Sequence, residues 1–127
     1  NTIVAQGNSG SNAGTDPGGS ESKTYDVTNT GASAYVFNGE GLSYSSNPDF
    51  TFKRGSTYTF NITTPGHPFY INRVRGTGTA NTYNSGVTNN GAISGAITFT
   101  VPTDAPDTLY YNCEFHSSMT GMITITD

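Results

Sequence analysis

The strongest constraint on what this chain can fold into is a two-residue alternation of apolar and polar side chains. Tyr58, Phe60 and Ile62 alternate with Thr59 and Asn61, and Ile97, Phe99 and Val101 alternate with Thr98 and Thr100. Residues two apart share one face of a β-strand, so each run reads as a strand with one face buried and the other in water. Shorter runs of the same kind hold Tyr25 and Val27, Ala34 to Phe37, Phe50 and Phe52, Phe69 to Ile71, Leu109 to Cys113, and Ile123 and Ile125. Turn residues separate them, including Asn38-Gly39, Arg54-Gly55, Pro65-Gly66, Pro102 and Pro106. No stretch sustains a 3.6-residue apolar period, so helices are not expected. About seven or eight short strands broken by turns predict an all-β fold, an antiparallel Greek-key β-sandwich.

Two stretches stand outside this pattern. Residues 1–23 are rich in Gly, Ser and Asn, with Asp16-Pro17-Gly18-Gly19 at their centre. They are expected to form a flexible tail or linker, with at most a short edge strand at Ile3 and Val4, and they could tether the domain to a membrane or a larger protein. Residues 24–127 then make the single domain. Within it, residues 76–95 are dominated by Gly, Thr, Asn and Ser and read as a long connection or a small insertion.

Charge and composition exclude several functions. Five Lys and Arg against nine Asp and Glu leave a net charge of −4, too few cations for a phosphate-binding surface, so nucleic acid is not a partner. No apolar run approaches the roughly 18 residues of a spanning helix. The Gly-rich stretches lack a phosphate-loop pattern, and no activated nucleophile is indicated. Only 11% of the residues are charged, which with the Gly, Thr, Ser and Asn content suggests a periplasmic or extracellular (secreted) β-protein.

The single cysteine cannot form an intrachain disulfide. An isolated cysteine is commonly a buried, inert residue, and otherwise a reactive thiol or a metal ligand. Its neighbours decide the weighting. Cys113, His116 and Met119 fall at three-residue intervals, and the only other histidine, His67, follows Pro65-Gly66 after a strand. Leu109, Tyr111 and Cys113 share a strand face, so the thiol points inward. The chain must turn before the strand that begins near Gly121, and His116 and Met119 lie in that turn. A thiolate, two imidazoles and a thioether form the donor set that favours copper in a trigonal site with a weak axial bond, provided that His67 converges on the other three from the opposite sheet.

The run Tyr-Tyr-Asn-Cys-Glu-Phe-His-Ser-Ser-Met-Thr-Gly-Met-Ile-Thr-Ile, residues 110–125, resembles the cupredoxins, the small type 1 blue-copper proteins. The resemblance extends over roughly residues 24–127. The Cys-x2-His-x2-Met spacing looks like the short amicyanin loop more than the longer plastocyanin loop. The resemblance implies one copper ion cycling between Cu(I) and Cu(II), with His67, Cys113 and His116 as strong equatorial ligands and Met119 as the axial one. Met122 is the competing methionine, but the family's glycine follows its axial methionine by two, as Gly121 follows Met119, and Met122 reads as packing.

Three departures from the family pattern bear on the site. Pro68 stands where many relatives have an asparagine whose N–H bonds the cysteine sulfur, and proline has no N–H. Phe115 stands where many have a proline, so its N–H is expected to reach the Cys113 sulfur instead. Asn112 replaces the tyrosine that gives plastocyanin its remote docking surface, which leaves His116 as the expected electron port. Phe115, Pro65, Gly66 and Pro68 would form an apolar rim around it. Arg73, Arg75 and Glu114 read as solvated surface charge.

The resulting expectation is a monomeric one-electron carrier between redox protein partners that dock near His116, and not an enzyme by itself. The alternatives are a copper-binding carrier or sensor, and a cupredoxin-fold structural or adhesion domain of a larger secreted protein.

Overall fold

The computed structural model describes residues 20–127, and residues 1–19 of the expected tail, with the Ile3-Val4 strand, lie outside them. The described residues contain no helix and form ten strands: β1 (Ser22–Thr30), β2 (Ala34–Gly39), β3 (Leu42–Ser46), β4 (Phe50–Lys53), β5 (Thr57–Thr63), β6 (Phe69–Asn72), β7 (Val87–Thr88), β8 (Ser94–Thr100), β9 (Thr108–Cys113) and β10 (Thr120–Thr126). They make two sheets, ordered β3-β2-β1-β5-β8-β7 and β4-β10-β9-β6. The expected sandwich is present.

The alternation that predicts the strands also decides which side chains meet between the sheets. Tyr58, Phe60 and Ile62 are buried along β5, and Ile97 and Phe99 along β8, while Asn61, Thr63 and Thr100 face water. With no tryptophan, the core is filled by aromatic rings at edge-to-face and offset angles. Phe37 lies 5.0 Å from Phe50 and 5.1 Å from Tyr111, and Tyr111 stacks on Phe69 at 5.3 Å. A buried tyrosine hydroxyl needs an acceptor, and Tyr58 donates to Glu21 at 2.6 Å and Tyr111 to the Pro48 carbonyl at 2.6 Å.

Two ladders are parallel where the sequence pattern implied antiparallel pairing throughout: β1 with β5, and β4 with β10. After β3 the chain leaves the larger sheet, adds β4 to the smaller one, and re-enters beside β1 running in the same direction. Alternation alone carries no strand direction.

Strand limits also differ from the sequence reading. Ser22 and Lys23 pair with Thr57 and Tyr58, so β1 begins before Thr24. Lys23 occupies an inward-phase position at the strand's polar start, which hides it from an apolar pattern. The strand β3 was not anticipated. It is an edge strand with a register shift opposite Phe37 and Gly39, and Tyr44 there is exposed with φ of 49°. A bulged edge with a wet face carries no clean alternation.

The polar connection over residues 76–95 packs closely on the sandwich. It adds β7 to the larger sheet, buries Tyr83, and bridges the free edge of β6 at Phe69–Ala92 and Asn72–Thr82. Asn90 stands in for a missing strand there. Its Oδ1 accepts from the Ile71 N–H at 2.9 Å, and its Nδ2 donates to the carbonyls of Ile71 and Tyr83. Side-chain amides thus do what backbone pairing does elsewhere, so polar composition here does not mean a loose loop.

Candidate metal centre

Cys113 ends β9 on its inward phase, and Leu109, Tyr111 and Cys113 are all buried. The loop that follows is closed by its own backbone. The Cys113 N–H donates to the Met119 carbonyl at 3.0 Å and the Met119 N–H to the His116 carbonyl at 3.3 Å. This narrow turn returns the chain into β10 and brings His116 back over the thiol.

His67 arrives by strand pairing. β6 pairs antiparallel with β9, and Phe69 sits opposite Cys113. His67, two residues earlier, therefore lies beside the thiol. The Glu114 N–H continues this pairing to the Pro68 carbonyl at 3.1 Å. This corrects the expectation that His67 comes from the opposite sheet. It stands on the crossover from β5 into β6, and β6 belongs to the same sheet as β9. The crossover is itself a tight turn. Gly66 adopts φ of 79°, His67 N–H donates to the Thr64 carbonyl at 2.9 Å, and Thr64 Oγ1 donates back to the His67 carbonyl at 2.9 Å.

The opposite sheet supports the site from behind. Tyr35, on β2, donates its hydroxyl to the carbonyls of His67 (2.8 Å) and Pro68 (3.0 Å). Burial pushes the Tyr35 hydroxyl far above its usual range, and the nearby Cys113 adds to the rise, so Tyr35 is a constant donor. Asn47, in the left-handed region at φ of 46°, accepts from the Tyr35 N–H at 2.9 Å and donates to the Ser118 carbonyl at 3.0 Å. Ser118 Oγ reaches the Ala32 carbonyl at 3.0 Å. Tyr35, Asn47 and Thr64 were not singled out by sequence reasoning. A tyrosine in an apolar run reads as packing, and an asparagine before a proline reads as a turn.

The three strong donors meet. Cys113 Sγ lies 3.7 Å from His67 Nδ1 and 3.6 Å from His116 Nδ1, and all three donor atoms fall within 4.8 Å of one another. A first-row ion bound about 2.3 Å from sulfur and about 2.0 Å from nitrogen, at an angle near 120°, holds those atoms about 3.7 Å apart. The spacing therefore fits one shared ion. Cys113 is fully buried, whereas both histidines are half-buried.

Met119 is fully buried at the end of the same loop. Met122 is half-buried, pairs with Tyr110, and donates its N–H to Asp49 Oδ1 at 2.8 Å. Tyr110 faces away from the core, so the two methionines stand on different sides of the strand.

The expected Phe115 N–H to sulfur bond is not formed. Among the described residues, the polar groups bonded to Cys113 Sγ are the two imidazoles. Phe115 instead projects outward and is 61% exposed. Pro65 and Gly66, next to His67, are also exposed, and Pro68 is half-buried. Ile93 is another exposed apolar residue, on the segment bonded to the His67 turn. It is 46% exposed, and its carbonyl accepts from the Thr64 N–H at 2.9 Å. Arg73 and Arg75 lie over the rings of Tyr83 and Tyr110.

No protein-family model and no curated protein sequence matches this chain. Solved structures do match. A structure of the copper protein rusticyanin superposes with a TM-score of 0.57 at 15% identity, over 85% of this chain and 80% of that one. Reduced rusticyanin gives 0.55 at 16% identity, over 85% and 81%. Rusticyanin from Thiobacillus ferrooxidans gives 0.53 at 17% identity, over 85% and 79%. Likeness at this level of identity is likeness of fold, and the fold is the cupredoxin β-sandwich.

Proposed function

We propose that this chain is a type 1 copper protein that carries single electrons between redox partners, with His67, Cys113 and His116 as equatorial ligands and Met119 as the axial one. The observation that carries this reading is the convergence of two imidazole Nδ1 atoms on one buried sulfur at 3.6 and 3.7 Å. Thiolate and imidazole with a thioether in reserve is a copper donor set, and the rusticyanin fold is one that holds copper. When bound, copper supplies a one-electron couple, Cu(II)/Cu(I).

The residues around the site suit that use. Strand pairing, the short loop and the Tyr35 and Asn47 bonds hold the donors nearly still, so little rearrangement accompanies a change of charge. Four protein donors leave no coordination position for a substrate, which favours a carrier over an enzyme. The half-buried His116, next in sequence to the exposed Phe115, offers a port where an apolar partner surface excludes water. A monomer that docks transiently through this port fits the role. The free thiol is fully buried, so it would survive in an oxidising compartment such as a periplasm or the extracellular space.

The test is to add Cu(II) to the metal-free protein and record the visible spectrum. An intense thiolate-to-copper band, abolished in Cys113→Ser, together with reversible voltammetry, supports the reading. Colourless, weak binding points to a copper carrier or sensor, and absence of binding to a structural domain.

A further inference from the structure

Asn112 occupies the outward phase of β9, between inward-facing Tyr111 and Cys113, where a polar side chain would ordinarily meet water. It is fully buried instead. Residues 73–78 fold over it, and all of its amide is engaged. Nδ2 donates to the Cys113 carbonyl at 2.9 Å and to the His116 carbonyl at 3.4 Å, and Oδ1 accepts from the Gly76 N–H at 3.2 Å. The partners fix which end of the amide is which, because two carbonyls require the NH2 group and one N–H requires the oxygen.

The two carbonyls belong to two residues whose side chains converge on the candidate metal position. Holding both from outside the loop restrains the backbone torsions that aim the Cys113 and His116 side chains. The same segment grips the loop again, through the Gly78 N–H to the Glu114 carbonyl at 2.8 Å. Gly76 is itself clamped, since its carbonyl accepts from the buried Asn72 Nδ2 at 3.3 Å. A chain of bonds therefore runs from β6 through residues 73–78 to the ligand loop, with Asn112 as its junction.

We propose that Asn112 is a positioning residue of the metal centre, which sets the separation of the Cys113 and His116 donors before an ion arrives. No other side chain of similar size does the same. Aspartate would present lone pairs to two carbonyls, and leucine would fill the volume and donate nothing. The proposal rests on the copper reading above, and its test separates the two.

The variants are Asn112→Leu and Asn112→Asp in the full chain, with Asn112→Ser as the replacement if neither folds. Two measurements are made. In the metal-free protein, the rate of Cys113 alkylation by iodoacetamide is expected to rise, because a loosened loop uncovers the thiol. In the presence of Cu(II), affinity by chelator competition is expected to fall about 10–100-fold, the usual cost of losing an outer partner of a metal ligand, with a shifted thiolate-to-copper band. Variants that lose unfolding stability while alkylation rate, affinity and band stay unchanged would overturn the proposal, since Asn112 would then be a packing residue only. If the wild-type protein takes no copper, the copper reading fails, and the alkylation rates still decide whether Asn112 restrains the loop.

Discussion

The Tyr35 hydroxyl donates to the His67 carbonyl across 2.8 Å, so a residue in the larger sheet fixes the turn that carries a candidate ligand of the smaller one. Both carbonyls bound by Tyr35 have a second donor, Thr64 Oγ1 for His67 and the Glu114 N–H for Pro68. Tyr35→Phe therefore orphans neither of them. It should lower the unfolding free energy by about 1 kcal/mol, the net worth of a typical hydrogen bond, and move the thiolate-to-copper band because the His67 turn relaxes. Urea unfolding of the metal-free protein and the visible spectrum of the copper form check the two effects separately.

The two methionines should behave differently. Met119 is fully buried in the ligand loop, and leucine replaces methionine in a core at a cost below about 1.5 kcal/mol. Met119→Leu should leave the protein folded and shift its midpoint potential, since the axial group tunes that potential. Met122→Leu should not shift it. Voltammetry of both variants decides between them, and equal shifts would defeat the axial assignment.

Gly121, the second residue of β10, lies directly opposite Tyr111. A Cβ there would fall into the Tyr111 ring and against the Pro48 carbonyl that accepts the Tyr111 hydroxyl. Neither neighbour is free to move, so Gly121→Ala should destabilise the fold by about 1–3 kcal/mol or more, as overpacking does. Thermal or urea unfolding measures it.

Phe115 is exposed and makes no bond to the sulfur, so its role is at the surface. Phe115→Ser should change stability by no more than about 0.5 kcal/mol, the range of ordinary surface substitutions. Electron self-exchange of the copper form should slow, because two molecules meeting at Phe115 lose apolar contact. An unchanged exchange rate would place the port elsewhere.

Alkaline pH should unfold the protein through its tyrosines. Tyr25 and Tyr58 are both pushed up to about 12, first by burial, with Glu40 adding for Tyr25 and the hydrogen bond to Glu21 adding for Tyr58. Burial raises Tyr35 and Tyr111 further still. In the unfolded chain tyrosine ionises near pH 10, so above that pH the native state holds more protons than the unfolded one. This stability is fully present below about pH 10 and falls as pH rises through the folded values. Urea midpoints followed across that range should decline as tyrosinate absorbance, the titration signal, rises.

The layered β architecture is legible in the sequence, and so are the residues proposed as donors. Alternation along β5, β8 and β9 states which side chains are buried, because a strand's faces repeat every two residues. Rare residue types grouped at Cys113, His116 and Met119 state what chemistry is on offer. Strand direction, and the bulged edge strand β3, left no such trace. The tertiary structure alone decided how His67 reaches the thiol. The register of β6 on β9 sets Phe69 opposite Cys113, and register is a relation between distant segments that no local pattern encodes. It decided as well that Asn112, on the wet phase of its strand, would be sealed under residues 73–78, that Phe115 would turn outward, and that Tyr35 would reach across to His67. Each depends on what covers a residue from another part of the chain.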